Sequence, residues 1–455
     1  MRVQIRKKAS VFLLAFLATV MSYAGMTQEA SEPLPALTLI SNVNIFDGKS
    51  GKLQENMNVL IKDNKIETIS SEPLAVPQTD NVTMIDGGGR TMTPGFIAVH
   101  EHIVGQMSFG ELFNSDTRYK AYVAVDTVNT YLMNGFTAVR DVAGDTFSLK
   151  KAIDRGIIVG PRIYPSGPMI SQTSGHADHR HDSQRSKLIG GVDDVMVEQG
   201  DMAVVDGVPE VLKAVREALR RGASQIKIAV GGGTGSYGDP LDVVEFTPEE
   251  IRAATQAASD WGTYVCAHVY NSDGIRRAID NGVKSIEHAN LVDEKTLRYM
   301  QKQDIWLSPQ VSVYTYIPAG YTEDQANKHR AAYAGLDNLF KTAKKMGYDK
   351  IAFGTDIITD PEALSRMNEE FTYREKWFTP AEILTQATSK SAELLAMSGE
   401  RNPYPGKLGV IEKGAYADLL LINGNPLKDL SILLKPDENL ALIMKDGKIY
   451  KNTIQ

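Results

Sequence analysis

Cross-links are the first thing missing. The 455-residue chain holds one cysteine, Cys266, so no internal disulfide can form. That excludes a small module stapled by disulfides and is ordinary for a bacterial periplasmic enzyme. An excess of cations is missing too, since 49 Lys and Arg stand against 56 Asp and Glu, a formal charge of −7. A chain this acidic has no bulk attraction for nucleic acid or anionic membrane, and neither is expected as a partner. Hydrophobic content of 42% and charged content of 23% exclude wholesale disorder.

The first residues differ in kind from the rest. Arg2, Arg6, Lys7 and Lys8 precede an apolar run that ends at Ser22-Tyr23-Ala24, a small-x-small cleavage pattern. The run is roughly 11 residues, short of the ~20 that span a bilayer as a helix. Residues 1–24 are therefore expected to be a cleavable signal peptide, giving a secreted or periplasmic protein without stable membrane insertion. No cysteine near Ala24 could be acylated, which argues against a lipoprotein. Loss of the four leader cations moves the formal charge from −7 to −11.

Both ends of the remaining chain read as hairpins. Lys62-Asp63-Asn64-Lys65-Ile66 is echoed by Lys445-Asp446-Gly447-Lys448-Ile449, each beside an apolar, strand-like stretch. Residues 36–92 and 405–455 are expected to pair into one small β-sandwich, with 93–404 inserted between them. The insert alternates short apolar strands (95–99, 138–141, 162–165, 225–230, 264–268, 285–288, 306–309 and 351–356) with amphipathic helices such as 208–221, 248–262 and 326–346. Thr247 followed by Pro248-Glu249-Glu250 supplies an N-cap and early acids for one of them. Eight strands alternating with helices at this length predict an α/β fold, a (β/α)8 TIM barrel.

Chemistry-bearing residues fall on or just after these strands, where barrel enzymes keep their sites. His100 and His102 lie two apart, which puts both imidazoles on one face of a strand and turns Glu101 away. Alternation also places Ala98 on the histidine face. Lys227, between Ile226 and Ile228, is costly as a buried cation. A paired or snorkelling lysine is one account of it; an amine converted by CO₂ into an anionic carbamate is the other, since the ammonium form cannot ligate a metal. His268, His288 and Asp356 each end another short apolar run.

As a set, His100-x-His102, Lys227, His268, His288 and Asp356 resemble the ligand signature of the amidohydrolase superfamily. The text from Pro94-Gly95 to Gly354-Thr355-Asp356 is similar to its imidazolonepropionase-related branch, which holds Xaa-Pro dipeptidases, Xaa-Arg/Lys carboxypeptidases and ochratoxinase. The resemblance implies that His100, His102 and Asp356 hold one divalent ion and His268 and His288 a second. Lys227, as N6-carboxylysine, would bridge them. Imidazole and carboxylate donors suit zinc best, with cobalt or manganese as alternatives. A shared water would lose a proton near neutrality, and Asp356 would pass that proton to the leaving nitrogen of an amide or dipeptide. The branch usually has an aspartate where this chain has Ala98, and its members tend to be homo-oligomers.

His176, in Ser171-Gln172-Thr173-Ser174-Gly175-His176, resembles a loop residue of this branch that faces the substrate. Tyr270 resembles a tyrosine that reads a substrate carboxylate, with ordinary packing as the other account. His179, Arg180, His181 and His329 are expected in solvent. Residues 233–238 match G-x-G-x-x-G literally, but Asp239-Pro240 follows where a nucleotide-binding helix would have to begin. A nicotinamide oxidoreductase is thereby disfavoured, and a substrate-side loop is expected. A metal-binding protein without activity is the third reading, kept open by Ala98.

Overall fold

Strand Leu37–Ile45 pairs antiparallel with Gln54–Lys62, which turns through Asp63 into Lys65–Ser70. The far end of the chain repeats the device, with Leu440–Lys445 turning through Asp446-Gly447 into Lys448–Asn452. Asp63 and Asp446 both take the left-handed conformation (φ 53° and 55°), which a tight hairpin demands and aspartate tolerates. These assignments come from a computed structural model that describes residues 35–454. The expected signal peptide lies outside the described residues.

The two ends join in a single eight-stranded sheet, because Leu419–Ile422 runs antiparallel to Thr91–Pro94 with Leu420 opposite Thr93. The two echoed hairpin tips touch: Asn64 Nδ2 donates to Asp446 Oδ1 at 3.0 Å. Gly447 is required there, since a Cβ would lie 2.0 Å from the Asp63 carbonyl oxygen. Ile40, Val43, Val59, Leu421, Leu442 and Met444 form the buried core of this sheet.

Between the two ends the strands run parallel. Phe96–Glu101, Phe136–Asp141 and Arg162–Pro165 form one sheet; Met169–Ser171, Ile226–Ala229, Val265–Asn271, Ser285–Leu291 and Trp306–Ser308 belong to a second. Helices separate them, among them Val208–Arg221, Pro248–Asp260 and Glu323–Met346. Thr247 caps the second of these in a reciprocal box with Glu250, as its sequence predicts. None of the described helices is long and apolar enough to cross a membrane.

The expected eighth strand, 351–356, forms only one bridge, Ile351 to Leu307. Its backbone nonetheless bonds both neighbours: Ala352 N donates to Leu307 O at 3.0 Å, Val99 N to Phe353 O at 2.8 Å, and Asp356 N to His100 O at 3.0 Å. Left-handed backbone at Asp356 (φ 55°) ends the extended geometry there. On the opposite side only Ser166-Gly167-Pro168 separates the last strand of one sheet from the first of the other.

Candidate metal centre and catalytic cavity

Phe96–Glu101 carries the first pair of histidines, and its pairing slips between Ala98 and Glu101. Ala98 lies opposite Val139 and Glu101 opposite Asp141, one residue too many on the first strand. Such a bulge breaks the period-two alternation. The expectation that Ala98 shares the histidine face is therefore corrected. Ala98 packs with Phe96, Tyr131 and Val139, whereas Ile97 and Val99 pack with Cys266, the register partner of Lys227. Glu101 does turn away, accepting from Thr355 N (2.8 Å), Thr355 Oγ1 (2.7 Å) and Tyr131 OH (3.0 Å).

His100, His102 and Asp356 converge, with one ligand atom from each lying within 4.8 Å of the others. Asp356 Oδ1 is 3.0 Å from His102 Nε2 and 3.4 Å from His100 Nε2. Burial works against its ionisation, but the His100, His102 and His288 rings outweigh this and hold the carboxyl well below its usual range. Lys227 Nζ lies 3.4 Å from His100 Nε2, and no carboxylate of the described residues pairs with it. Burial, the first cause, pushes this amine below its ordinary value.

Partners that the sequence reading did not single out fix the tautomers. His100 Nδ1 lies 2.8 Å from Glu287 Oε2, an acceptor, so that nitrogen carries the hydrogen and Nε2 faces Asp356. Glu287 is fully buried and gripped at both oxygens by Arg140 Nη2, at 2.8 and 2.7 Å. Burial raises its affinity for a proton, but Arg140 and His100 reverse this and keep it anionic. His288 Nδ1 donates to Gln310 Oε1 at 2.8 Å, and Gln310 is oriented by its own bond to Ser308 O at 2.6 Å. His288 and Ala289 both take positive φ, 74° and 58°, which re-aims the end of that strand.

His268 stands ring to ring with His288 at 4.5 Å, and its Nε2 lies 3.2 Å from the Gly232 carbonyl, leaving Nδ1 free. His176 stacks on His268 at 3.9 Å between centroids and 13° between planes. Its Nδ1 meets Asp239 Oδ2 at 3.1 Å and Ser236 Oγ at 2.8 Å. Tyr270 stacks on His288 (5.0 Å, 6°), and its hydroxyl lies 2.7 Å from that of Tyr314. The glycine-rich segment starts no helix. Gly233 N donates to Asp239 Oδ2 at 2.6 Å, and a Cβ on Gly233 would lie 2.0 Å from the His176 ring. Thr234 and Gly235 line the cavity, so the substrate-side reading of this loop stands.

All eight singled-out residues other than those of the loop turn up around one cavity, which offers about 770 Å³ of space between atoms, its mouth included. Two solvent assignments are corrected. His329 is fully buried, and its Nε2 donates to the Val313 carbonyl at 2.8 Å. His179 lines the cavity, edge-on to Phe113 at 5.5 Å. Arg180 is tied to Asp178 and does not line the cavity, and His181 is exposed.

A sequence profile for the amidohydrolase family matches residues 91–450. The chain belongs to the amidohydrolase family. Ochratoxinase of Aspergillus niger is 32% identical over 330 residues, 70% of this chain and 66% of its own, so the chain spans just under two thirds of that relative. A crystallised amidohydrolase is 34% identical with a TM-score of 0.84, covering 92% of this chain and 100% of the other. A prolidase crystallised with N-methylphosphonate-L-proline is 31% identical, also at 0.84, with the same coverage. Membership fits the gathering of ligand-type side chains at one end of the parallel strands.

Proposed function

We propose that this amidohydrolase hydrolyses the amide bond of small molecules, dipeptides or N-acyl amino acids, at a two-metal centre. The convergence of His100, His102 and Asp356 within 4.8 Å, beside a buried amine that pairs with no carboxylate of the described residues, carries the reading. Three donors of imidazole and carboxylate type fit a divalent ion, zinc above others. His268 Nδ1 and His288 Nε2, both freed by their second hydrogen bonds, suit the second ion. Divalent ions bound there would polarise the scissile carbonyl and acidify water.

The residues of the chain do the rest. The unprotonated form of the Lys227 amine would add to CO₂, forming an N–C bond and losing a proton to solvent, and the resulting carbamate would offer two oxygens sharing one negative charge to the two ligand groups. Asp356 accepts the proton of the attacking water and delivers it to the leaving nitrogen. His176, its Nδ1 held by Asp239, turns Nε2 to the substrate carbonyl, and Tyr270 contacts the substrate carboxylate. The parallel strands close as a (β/α)8 barrel over 93–404, supported by the backbone bonds that 351–356 makes on both sides. Residues 36–92 and 405–455 form the sandwich domain. Export by cleavage of residues 1–24 and assembly into a homo-oligomer complete the proposal.

Metal-loaded enzyme assayed against Xaa-Pro, Xaa-Arg and N-acyl amino acid libraries tests this; inactivity on all of them with turnover of a lactone or ring amide would refute it. The kinship with ochratoxinase supports a close variant, a detoxifying amidase with the same centre.

A further inference from the structure

One flank of the cavity bears no part of the metal centre. Ser108 and Glu111 cap the helix Phe109–Asn114 reciprocally, fixing its start. Phe109, Leu112 and Phe113 stand three and four residues apart, so they share one face, and all three line the cavity. Met169, Met196 and Met202 complete this wall from a strand, a short helix and another strand. Leu112 and the three methionines are buried and packed together.

Charge is absent from this wall. Among the described residues, Asp356 is the only carboxylate that lines the cavity, no arginine does so, and Lys227 is the only lysine. The ion pair behind Met196, Lys120 with Asp201 at 2.9 Å, is closed on itself. His179 sits against Phe113, and its Nδ1 is buried without a partner among the described residues. Burial and the neighbouring His176 disfavour its charged form. The wall therefore offers soft, polarizable, apolar surface.

We propose that Phe109, Leu112, Phe113, Met169, Met196 and Met202 form the specificity subsite for a large, uncharged apolar side chain, aromatic or long aliphatic, flanking the scissile amide. His179 borders the subsite, its ring edge-on to Phe113. A guanidinium or ammonium entering here would lose its water and meet no anion on this wall; Asp356 and the Lys227 carbamate belong to the metal centre and are engaged there. The subsite thus rejects substrates with Arg or Lys at this position. This rests on the amide-hydrolase reading and narrows its substrate class.

Binding separates the two ideas. Calorimetry on the metal-loaded full chain would use two probe series, N-acetyl-L-Phe, -Leu, -Arg and -Glu, and Phe-Pro, Leu-Pro, Arg-Pro and Glu-Pro. In the series that binds, Kd for the Phe and Leu members is expected to be lower than for Arg and Glu by at least about 30-fold. Phe113→Ala should weaken the Phe member by about tenfold and leave the Arg member unchanged. Leu112→Glu, where it folds by circular dichroism, should improve the Arg member by about tenfold. Equal or tighter binding of Arg in both series, no binding of any probe, or indifference to Phe113→Ala would each overturn the subsite. Failure of the hydrolase reading looks different: the preference would hold in calorimetry while no amide, in any series, was turned over.

Discussion

The two halves of the ligand set are held by different means. On the His100 side, orientation comes from charged side chains deep among the strands, with His100 on Glu287 and Glu287 on Arg140, both fully buried. On the His268 side, the ligands are held by neutral groups: the Gly232 carbonyl of a loop bonds His268 and Gln310 bonds His288, while Asp239 of the same loop bonds His176. That loop is pinned from outside by the helix Glu323–Met346, through Lys328 Nζ to Ser236 O at 2.8 Å and Gln325 Nε2 to Gly235 O at 2.7 Å. The first half is rigid because a buried ion pair has no cheap alternative arrangement. The second can adjust, which suits residues that meet substrate.

The largest effect should come from the residue shared by both halves. Lys227→Ala is expected to abolish metal retention and lower kcat/KM on the order of 10³-fold or more, because a metal centre is worth several kcal/mol of transition-state stabilisation. Steady-state kinetics with elemental analysis reads both. Next comes Glu287→Gln, which leaves Arg140 buried without its anion. It should cost about 3–5 kcal/mol in urea unfolding and weaken metal affinity by about 10–100-fold.

The loop half should respond differently. Asp239→Asn is expected to lower kcat by about 10²-fold through His176 while metal content and Tm stay near wild type. Metal loss in this variant would erase the distinction between the halves. Smallest is Gln325→Ala, which removes one neutral hydrogen bond to the loop and part of a helix cap. About 1 kcal/mol of stability and less than a tenfold fall in kcat/KM are expected, measured by thermal melts and progress curves.

Most ligand positions were legible because each ends a short apolar run, and a parallel strand buried on both faces reads as such a run. Helix boundaries followed for a similar local reason; Val208–Arg221 begins and ends where Gly207, Pro209 and Gly222 dictate. What local pattern cannot carry is pairing across the fold. Arg140 and Glu287 are 147 residues apart, and neither stands out until the strands are side by side. The bulge after Ala98 is invisible to period-two reasoning, which therefore put that alanine on the wrong face. His329 lies on a helix of mixed polarity, so its burial depended on the Val313 carbonyl far along the chain. His179 was expected in solvent with Arg180 and His181, and only its packing against Phe113, 66 residues away, places it at the cavity.

The measurement that bears most directly on the account is a metal-resolved crystal structure of catalytically active protein. Two anomalous peaks per chain, one against His100, His102 and Asp356 and the other against His268 and His288, are expected, with density continuing past Lys227 Nζ as a carboxylate touching both. A single peak or none, or a side chain that stops at the amine, would contradict it.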